Sequence, residues 1–156
     1  MVARTYYGLG PPDAAVKRFD DLRPWVVQML EMQGECVPMG PDYMAMGIAL
    51  DGLQTAAFHF TRRRHFYHQL DELRPAYRPG NNRLADREAA IAAFEALAPY
   101  AHALGLMRGG CRPFGRDYMA IHIAEQSLGT AAFHFTRDEH FYGARNDSAG
   151  PVGPPR

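Results

Sequence analysis

The sequence has few of the residues by which catalytic and metal centres are usually recognised. It contains two cysteines, Cys36 and Cys111. Two cysteines are too few for a disulfide framework, and neither lies in a CxxC pair, so the sequence indicates two reduced, packed thiols. The chain also lacks an HExxH pair, a GxSxG segment and a glycine-rich phosphate loop. These absences exclude the best-marked classes of metalloprotease, serine hydrolase and nucleotide-binding protein.

The chain also lacks an excess of charge and a long apolar run. Lys and Arg number 17, as do Asp and Glu, which gives a formal net charge of zero. Without a global positive field, nucleic acid is not the expected partner. No apolar run approaches the roughly 20 residues that cross a bilayer, and the first residues lack the apolar core of a signal peptide. We therefore expect a cytoplasmic protein with no membrane contact.

An internal repeat is the strongest feature that the sequence does have. The segment TAAFHFTR occurs at 55–62 and again at 130–137, an offset of 75 residues. The same offset, without a gap, pairs Asp42 with Asp117 and Cys36 with Cys111. Such self-similarity predicts two equivalent structural units, related by an approximate two-fold axis as in a homodimer fused into one chain.

The repeat sets the predicted domain organisation. The segment between the units is rich in Pro, Gly and Asn and has no apolar period, which is typical of a linker. The C-terminal segment has few apolar residues and is predicted to be disordered. The predicted boundaries are unit one over 1–70, the linker over 71–86, unit two over 87–142 and the tail over 143–156.

Each unit begins with a helical pattern, over 13–33 in the first and 87–108 in the second. Pro24 and Pro99 lie at equivalent interior positions, where proline removes a backbone hydrogen bond and clashes with the preceding turn. Because the apolar stripe passes each proline without a phase break, the pattern predicts one kinked helix in each unit. The predicted buried stripes are Val16, Phe19, Leu22, Val26, Met29 and Leu30, and Ile91, Phe94, Leu97, Ala101 and Leu104.

The second part of each unit is predicted to be a β-hairpin, over 43–61 and 118–136. Large apolar residues alternate there with small or polar ones, the period of a strand. Asp51 followed by Gly52 is a turn signal between the two strands. The side chains that this alternation places in the core are Met44, Met46, Ile48, Leu50, Phe58 and Phe60, and Met119, Ile121, Ile123, Phe133 and Phe135.

Together these elements predict an α+β fold, with a helix–β-hairpin unit used twice. A two-stranded hairpin is marginal alone, so we expect the two hairpins to join as one four-stranded antiparallel sheet. Both kinked helices would cover its apolar face, and residues 5–7 would add a short N-terminal strand.

The other face of the predicted sheet is made of small residues and histidines and is nearly uncharged, unlike an ordinary solvent face. Small residues let a partner approach the backbone closely. We therefore predict a binding or assembly protein in preference to an enzyme. It would use this face for self-association or for a protein partner, with a small-molecule ligand possible. The candidate residues are Tyr43, His59, His65, Tyr118, His122, His134 and His140.

A metal-dependent enzyme using the same face is the alternative. Histidine and aspartate are suitable ligands for a divalent transition metal, although the leading interpretation needs no cofactor. Hydrogen-bonded structural histidines and a turn-capping Asp42 also explain the same residues. The candidate ligands are Asp42, His59, His65, His122 and His134.

Arginines after the second predicted strand suggest a weak anion site. The run Arg62–Arg64 of the first unit becomes Arg137, Asp138 and Glu139 in the second. An anion site common to both units can therefore use only Arg62 and Arg137.

Overall fold

The computed structural model describes residues 6–80 and 82–143, and all regular structure within these residues is helical. Six α-helices and two short 3₁₀-helices follow one another along this part of the chain. The α-helices are α1 (Pro12–Asp20), α2 (Arg23–Gly34), α3 (Pro41–Thr61), α4 (Arg87–Ala96), α5 (Ala98–Gly109) and α6 (Arg116–Thr136), and the 3₁₀-helices are His68–Leu73 and Arg83–Ala85.

The predicted α+β fold is wrong, because each predicted hairpin is one helix of 21 residues. The residues of 43–61 and 118–136 form α3 and α6, and the described residues contain no strand and no antiparallel sheet. Burial shows why the helix forms. The buried positions of α3 recur every three or four residues, the period of a helix, and many are alanine, the strongest helix former. They are Ala45, Met46, Ala49, Gly52, Leu53, Ala56, Ala57 and Thr61.

Two further predicted segments lie wholly or partly outside the described residues. Tyr6 and Tyr7 of the predicted N-terminal strand form no strand, and residue 5 is not described. Of the predicted tail over 143–156, the structure describes Gly143 alone.

The buried stripes are largely confirmed, but each predicted kinked helix is divided into two helices. Phe19, Leu22 and Leu30 are buried, as are Phe94 and Leu97, the counterparts of Phe19 and Leu22. In each unit the proline lies in the first turn of the second helix, a position where its missing N–H is harmless. The chain therefore starts a new helix at the proline. At this break α4 and α5 are bent by 44°.

No single helix among the described residues has the length and apolar composition needed to cross a membrane. The bent pair α4 and α5 meets that requirement only when the two are taken together.

The repeated tyrosine of the HFY segment supports the helix break in both halves. The Tyr67 hydroxyl donates a 2.6 Å hydrogen bond to the carbonyl oxygen of Phe19. The Tyr142 hydroxyl makes the same bond, also 2.6 Å, to the Phe94 carbonyl. Carbonyl oxygens at a helix end lack a full set of intrahelical hydrogen-bond partners. The tyrosine hydroxyl supplies a partner for one of them where the proline interrupts the helical hydrogen bonds.

The two halves are joined through α3 and α6, which form the most extensive contact between elements. α1 and α2 pack on α3, whereas α4 and α5 pack on α6. Gly52 and Ser127 occupy equivalent repeat positions and face each other, since a Cβ at Gly52 would lie 2.6 Å from the Ser127 Cβ. The pseudo-two-fold axis therefore passes through this contact.

The repeated Thr–Arg dipeptide ends both central helices. The Thr61 hydroxyl donates to the Ala57 carbonyl at 2.7 Å and accepts from the amide of Arg63. Arg62 then turns into the left-handed region with φ of 60°. Thr136 and Arg137 repeat this arrangement, with φ of 63° at the arginine.

Candidate functional site

Two histidine–aspartate pairs connect the halves at opposite ends of the α3–α6 contact. His59 Nε2 lies 2.8 Å from Asp117 Oδ1, and His134 Nε2 lies 2.7 Å from Asp42 Oδ1. Each histidine is in the last turn of one helix and each aspartate in the first turn of the other, so α3 and α6 run antiparallel. Carboxylates at helix N-termini are favourably placed. Because all four side chains are partly exposed, each pair contributes at most about 1 kcal/mol.

The predicted metal ligands do not come together. Asp42 contacts His134 of the other half. His65 lies beside His68, with 6.1 Å between ring centroids, and His122 stacks on Tyr118 at 6.2 Å. Among the described residues no group of three His, Cys, Asp or Glu side chains is arranged to hold a metal ion. The described residues therefore do not form the metal site that the sequence suggested.

The remaining predicted site residues are also dispersed, because the sheet face that would have joined them does not exist. Tyr43 lies under the guanidinium of Arg74, 6.0 Å from the ring centroid. Tyr118 lies under Arg108 at 5.3 Å and accepts a hydrogen bond from it. His140 is exposed after α6.

The two candidate anion-binding arginines also lie apart from each other. Arg62 and Arg137 end different helices of an antiparallel pair. Arg137 lies over the Phe133 ring, 5.8 Å from its centroid. The structure thus brings together no anion site from these two residues.

Two small residues of the predicted interaction face, Ala45 and Ala49, instead lie at the joint between the halves. They share the buried helical face of Gly52, which contacts Ser127 closely. Small side chains let two helices approach closely, so the partner that covers them is the other half of the same chain.

Both cysteines are structural. The Cys36 thiol donates to the Met32 carbonyl at 3.4 Å, and the Cys111 thiol donates to the Met107 carbonyl at 3.5 Å. Burial, with smaller contributions from Asp42 and Glu35, raises the pKa of Cys36 to about 12. Burial also raises the pKa of Cys111. A nucleophile needs thiolate, so neither residue is suited to covalent catalysis.

The surface that sequence reasoning missed is the outer side of α3 and α6. The exposed positions of α3 include 44, 48, 51, 55 and 58, spaced three and four residues apart. Six large apolar side chains on the two helices are between 36% and 49% exposed. We define the α3–α6 face by these exposed positions and their repeat counterparts: Met44, Ile48, Asp51, Thr55 and Phe58, and Met119, Ile123, Gln126, Thr130 and Phe133.

Symmetry places both stripes on one side of the molecule. For an antiparallel pair related by the repeat, the pseudo-two-fold axis is perpendicular to the plane of the two helices. That axis carries the outer side of α3 onto the outer side of α6. The two stripes therefore form one continuous surface, whereas Met46, Leu53 and Ile121 are buried in the core.

A sequence signal for this face does exist. Met44, Ile48, Phe58 and their copies follow a helical spacing as well as they follow a strand alternation. Comparisons of the chain with family models, curated proteins and solved structures find no match.

Proposed function

We propose that the protein is an assembly protein which forms a homodimer through the α3–α6 face. The observation that carries this proposal is the exposure of six large apolar side chains, three from each half, on one side of the central helix pair. Single exposed apolar residues are ordinary, but several on one side of a molecule are typical of an interaction site, here with polar residues between them.

The size of the face suits a stable dimer. A helix of 21 residues is about 30 Å long at 1.5 Å per residue. With helix axes about 10 Å apart and each helix about 10 Å wide, the pair is about 20 Å across. It therefore presents roughly 600 Å² in projection. Side-chain relief enlarges this area toward the roughly 800 Å² that each partner buries in a standard interface.

Helix spacing favours a second copy as the partner. Exposed positions spaced three and four apart on two antiparallel helices have the geometry of half of a four-helix bundle, with apolar side chains at both ends of each stripe and Asp51, Thr55 or their counterparts between them. A second copy supplies the same pair and the same spacing, so that one surface is complementary to itself. The chain has no net charge to oppose this association.

The edge of the face resembles an interface rim. Arg64 lies over Phe58, 5.7 Å from the ring centroid, and Arg137 lies over Phe133. Polar residues around an apolar centre are the usual arrangement in protein interfaces. Arginine packed on an aromatic ring also keeps the phenylalanine partly covered in the free chain.

Sedimentation equilibrium of the full chain tests the proposal. We expect a concentration-dependent mass that reaches the dimer value, and a monomer for the double variant Ile48→Glu/Ile123→Glu, because each carboxylate would be buried unpaired in the interface. Circular dichroism should show unchanged helicity, since both side chains already face solvent.

Leu106→Glu is the matched control. Leu106 is 63% exposed but lies on α5, outside the α3–α6 face, so this variant should dimerise like the wild type. The proposal fails if the wild type stays monomeric up to ~1 mM, where even a weak interface is half occupied. It also fails if the double variant dimerises as well as the wild type.

A further inference from the structure

The two ends of the central helix pair differ in charge, and one of them is rich in arginine. At this end His59 of α3 meets Asp117 of α6 at 2.8 Å. Two arginines follow α3, one precedes α6, one begins α6 and one lies on α1, where it acts electrostatically on Cys111. We call these residues, all of them exposed, the arginine end: Arg18, Arg62, Arg63, Arg112 and Arg116.

The fold does not need most of these arginines, because the repeat carries other residues at the opposite end. That end has the same helices and the equivalent pair of His134 with Asp42. Arg62 alone keeps its type, as Arg137. The residues that stand in place of Arg18, Arg63, Arg112 and Arg116 are, in order, Ala93, Asp138, Val37 and Pro41.

The arginine end is also open to a partner. No ion pair among the described residues uses any of its five arginines. Asp117 is the one carboxylate in the described lining of the groove between Arg112 and Arg116, and it is already bonded to His59. The zero net charge of the whole chain therefore conceals a local positive field at this end.

Exposed aromatic rings lie among the arginines. Phe114 stands between Arg112 and Arg116 in the sequence and is 81% exposed, and Tyr7 is 83% exposed. Tyr7 lines the same groove of about 350 Å³ as the two arginines. Two large flat side chains are thus presented to solvent beside guanidinium groups.

The position of Phe114 is set by its turn. Its φ of 62° lies in the left-handed region, which bulky residues rarely adopt, and its ring rests against Tyr118 with 5.4 Å between centroids. Met39, at the equivalent position of the first half, has the same φ. The turn therefore belongs to the fold, whereas the exposed ring belongs to the arginine end.

From this arrangement we infer that the arginine end binds single-stranded nucleic acid. Guanidinium groups would donate to the phosphates, while Phe114 and Tyr7 would stack on bases, whose faces a single strand leaves accessible. A bilayer surface fits less well, because insertion needs a continuous apolar face and charged residues separate these rings. None of these residues belongs to the α3–α6 face, so the site is independent of the proposed dimer.

Fluorescence anisotropy of a labelled oligodeoxythymidine of about 12 nucleotides, titrated with the full chain, tests this inference. We expect saturable binding with a Kd of about 1–100 µM. If four arginines meet phosphates, raising the salt concentration from about 50 to 200 mM should weaken binding about fiftyfold. An oligouridine of the same length shows whether the strand is DNA or RNA, and saturable binding of either one supports the inference.

A variant built from the residues of the opposite end provides the matched loss of function. Arg112→Val/Arg116→Pro should fold, since Val37 and Pro41 occupy these positions in the first half. We expect at least tenfold weaker binding at low salt. The loss of affinity over the same rise in salt should shrink to about sevenfold, because two phosphate contacts are gone.

The control removes two arginines elsewhere. Arg78→Gln/Arg83→Gln changes the net charge by the same amount near Glu35, and it should bind the strand as the wild type does. If Arg112→Val/Arg116→Pro does not fold, Arg63→Asp is the second test, with an expected loss of at least threefold.

Phe114→Met separates stacking from charge, because Met39 is its equivalent. We expect roughly fivefold weaker binding or more, since one stacked base is lost, with an unchanged dependence on salt.

Four outcomes would overturn the inference. The first is that neither strand saturates by ~1 mM, which is beyond ordinary nonspecific affinity. The second is full affinity in Arg112→Val/Arg116→Pro, or an equal loss in the control. The third is full affinity in Phe114→Met, which would leave only diffuse attraction. The fourth is binding to phosphatidylserine vesicles without binding to either strand.

Discussion

The two halves of the molecule share their helices, caps and core but differ in the groove beside the central helix. Tyr67 and Tyr142 bond equivalent carbonyls at the same distance, so this contact belongs to the fold. Glu125, in contrast, stands where the first half has Leu50. Positions that keep one contact in both halves belong to the shared fold, and positions that diverge mark where the two halves differ.

The contact on the pseudo-two-fold axis should be the most sensitive point in the molecule. Gly52→Ala places a Cβ 2.6 Å from the Ser127 Cβ, and overpacking of this kind costs roughly 1–3 kcal/mol. Chemical denaturation should show this loss. Adding Ser127→Gly removes the clash and should restore most of the stability.

Gly129→Ala is the control for this position, because no described atom outside its own stretch of helix lies within 4 Å of a Cβ there. It should raise stability by up to about 1 kcal/mol, since alanine favours the helix. A Gly52→Ala chain as stable as the wild type would contradict the helix packing described above.

Substitution of Gly34 tests whether the linker packs on the first half. Gly34→Ala forces a Cβ against Pro75 and should lower the free energy of unfolding by roughly 1–2 kcal/mol. Thermal or chemical melts equal to those of the wild type would show that the linker does not pack on the first half.

The tyrosines at the helix breaks should respond alike. Tyr67→Phe and Tyr142→Phe each remove one buried hydrogen bond and should cost about 1 kcal/mol. The loss is moderate because the Phe19 carbonyl also accepts from the amide of Leu22. Tyr7→Phe, at an 83% exposed residue, should leave stability unchanged. If the two variants lost unfolding free energies that differed by well over about 1 kcal/mol, the two tyrosines would not be equivalent.

The smallest expected difference between the halves concerns the reactivity of the two thiols. With a pKa of about 12, Cys36 is thiolate at pH 8 in only about one molecule in ten thousand. Raising the pH toward 12 should accelerate its reaction with iodoacetamide, and Cys111 should follow the same trend because burial raises its pKa too. Mass spectrometry of alkylated native protein measures both rates. Fast labelling of either thiol at pH 8 would show that its site is open.

The sequence predicted the repeat, its pseudo-two-fold relation and most of the buried stripe, because these depend on local spacing. Phe19, Leu22 and Val26 follow the helical period and are buried. The repeated Pro24 also predicted where the helical pattern is interrupted. It did not predict that one helix ends there and a second begins, because that helix end involves Tyr67, 48 residues away from Phe19.

The second part of each unit was misread because two periods fit the same residues. Met44, Met46 and Ile48 alternate with small residues, yet Ala45, Ala49 and Ala56 also share one side of a helix. Asp51–Gly52 was taken as a turn, whereas Gly52 is needed for the approach of Ser127. That requirement is long-range and leaves no local pattern.

The site residues show the same limit. Asp42, His59 and His134 were predicted as candidates, and the structure brings Asp42 to His134 across 92 residues of sequence. The residue types suggested contact, but the antiparallel pairing of α3 and α6 decided which partners met. The apolar α3–α6 face was missed because the strand interpretation placed Met44 and Phe58 in the core.

Intermolecular contact between methionine methyls tests the proposed dimer most directly. In a mixture of methyl-¹³C-methionine chains and unlabelled chains, isotope-filtered NMR detects only contacts between copies. We predict such contacts for Met44 and Met119, which are exposed on the α3–α6 face, and none for Met46, which is fully buried. Intermolecular contacts confined to other surfaces, or none at concentrations where the mass is that of a dimer, would contradict it.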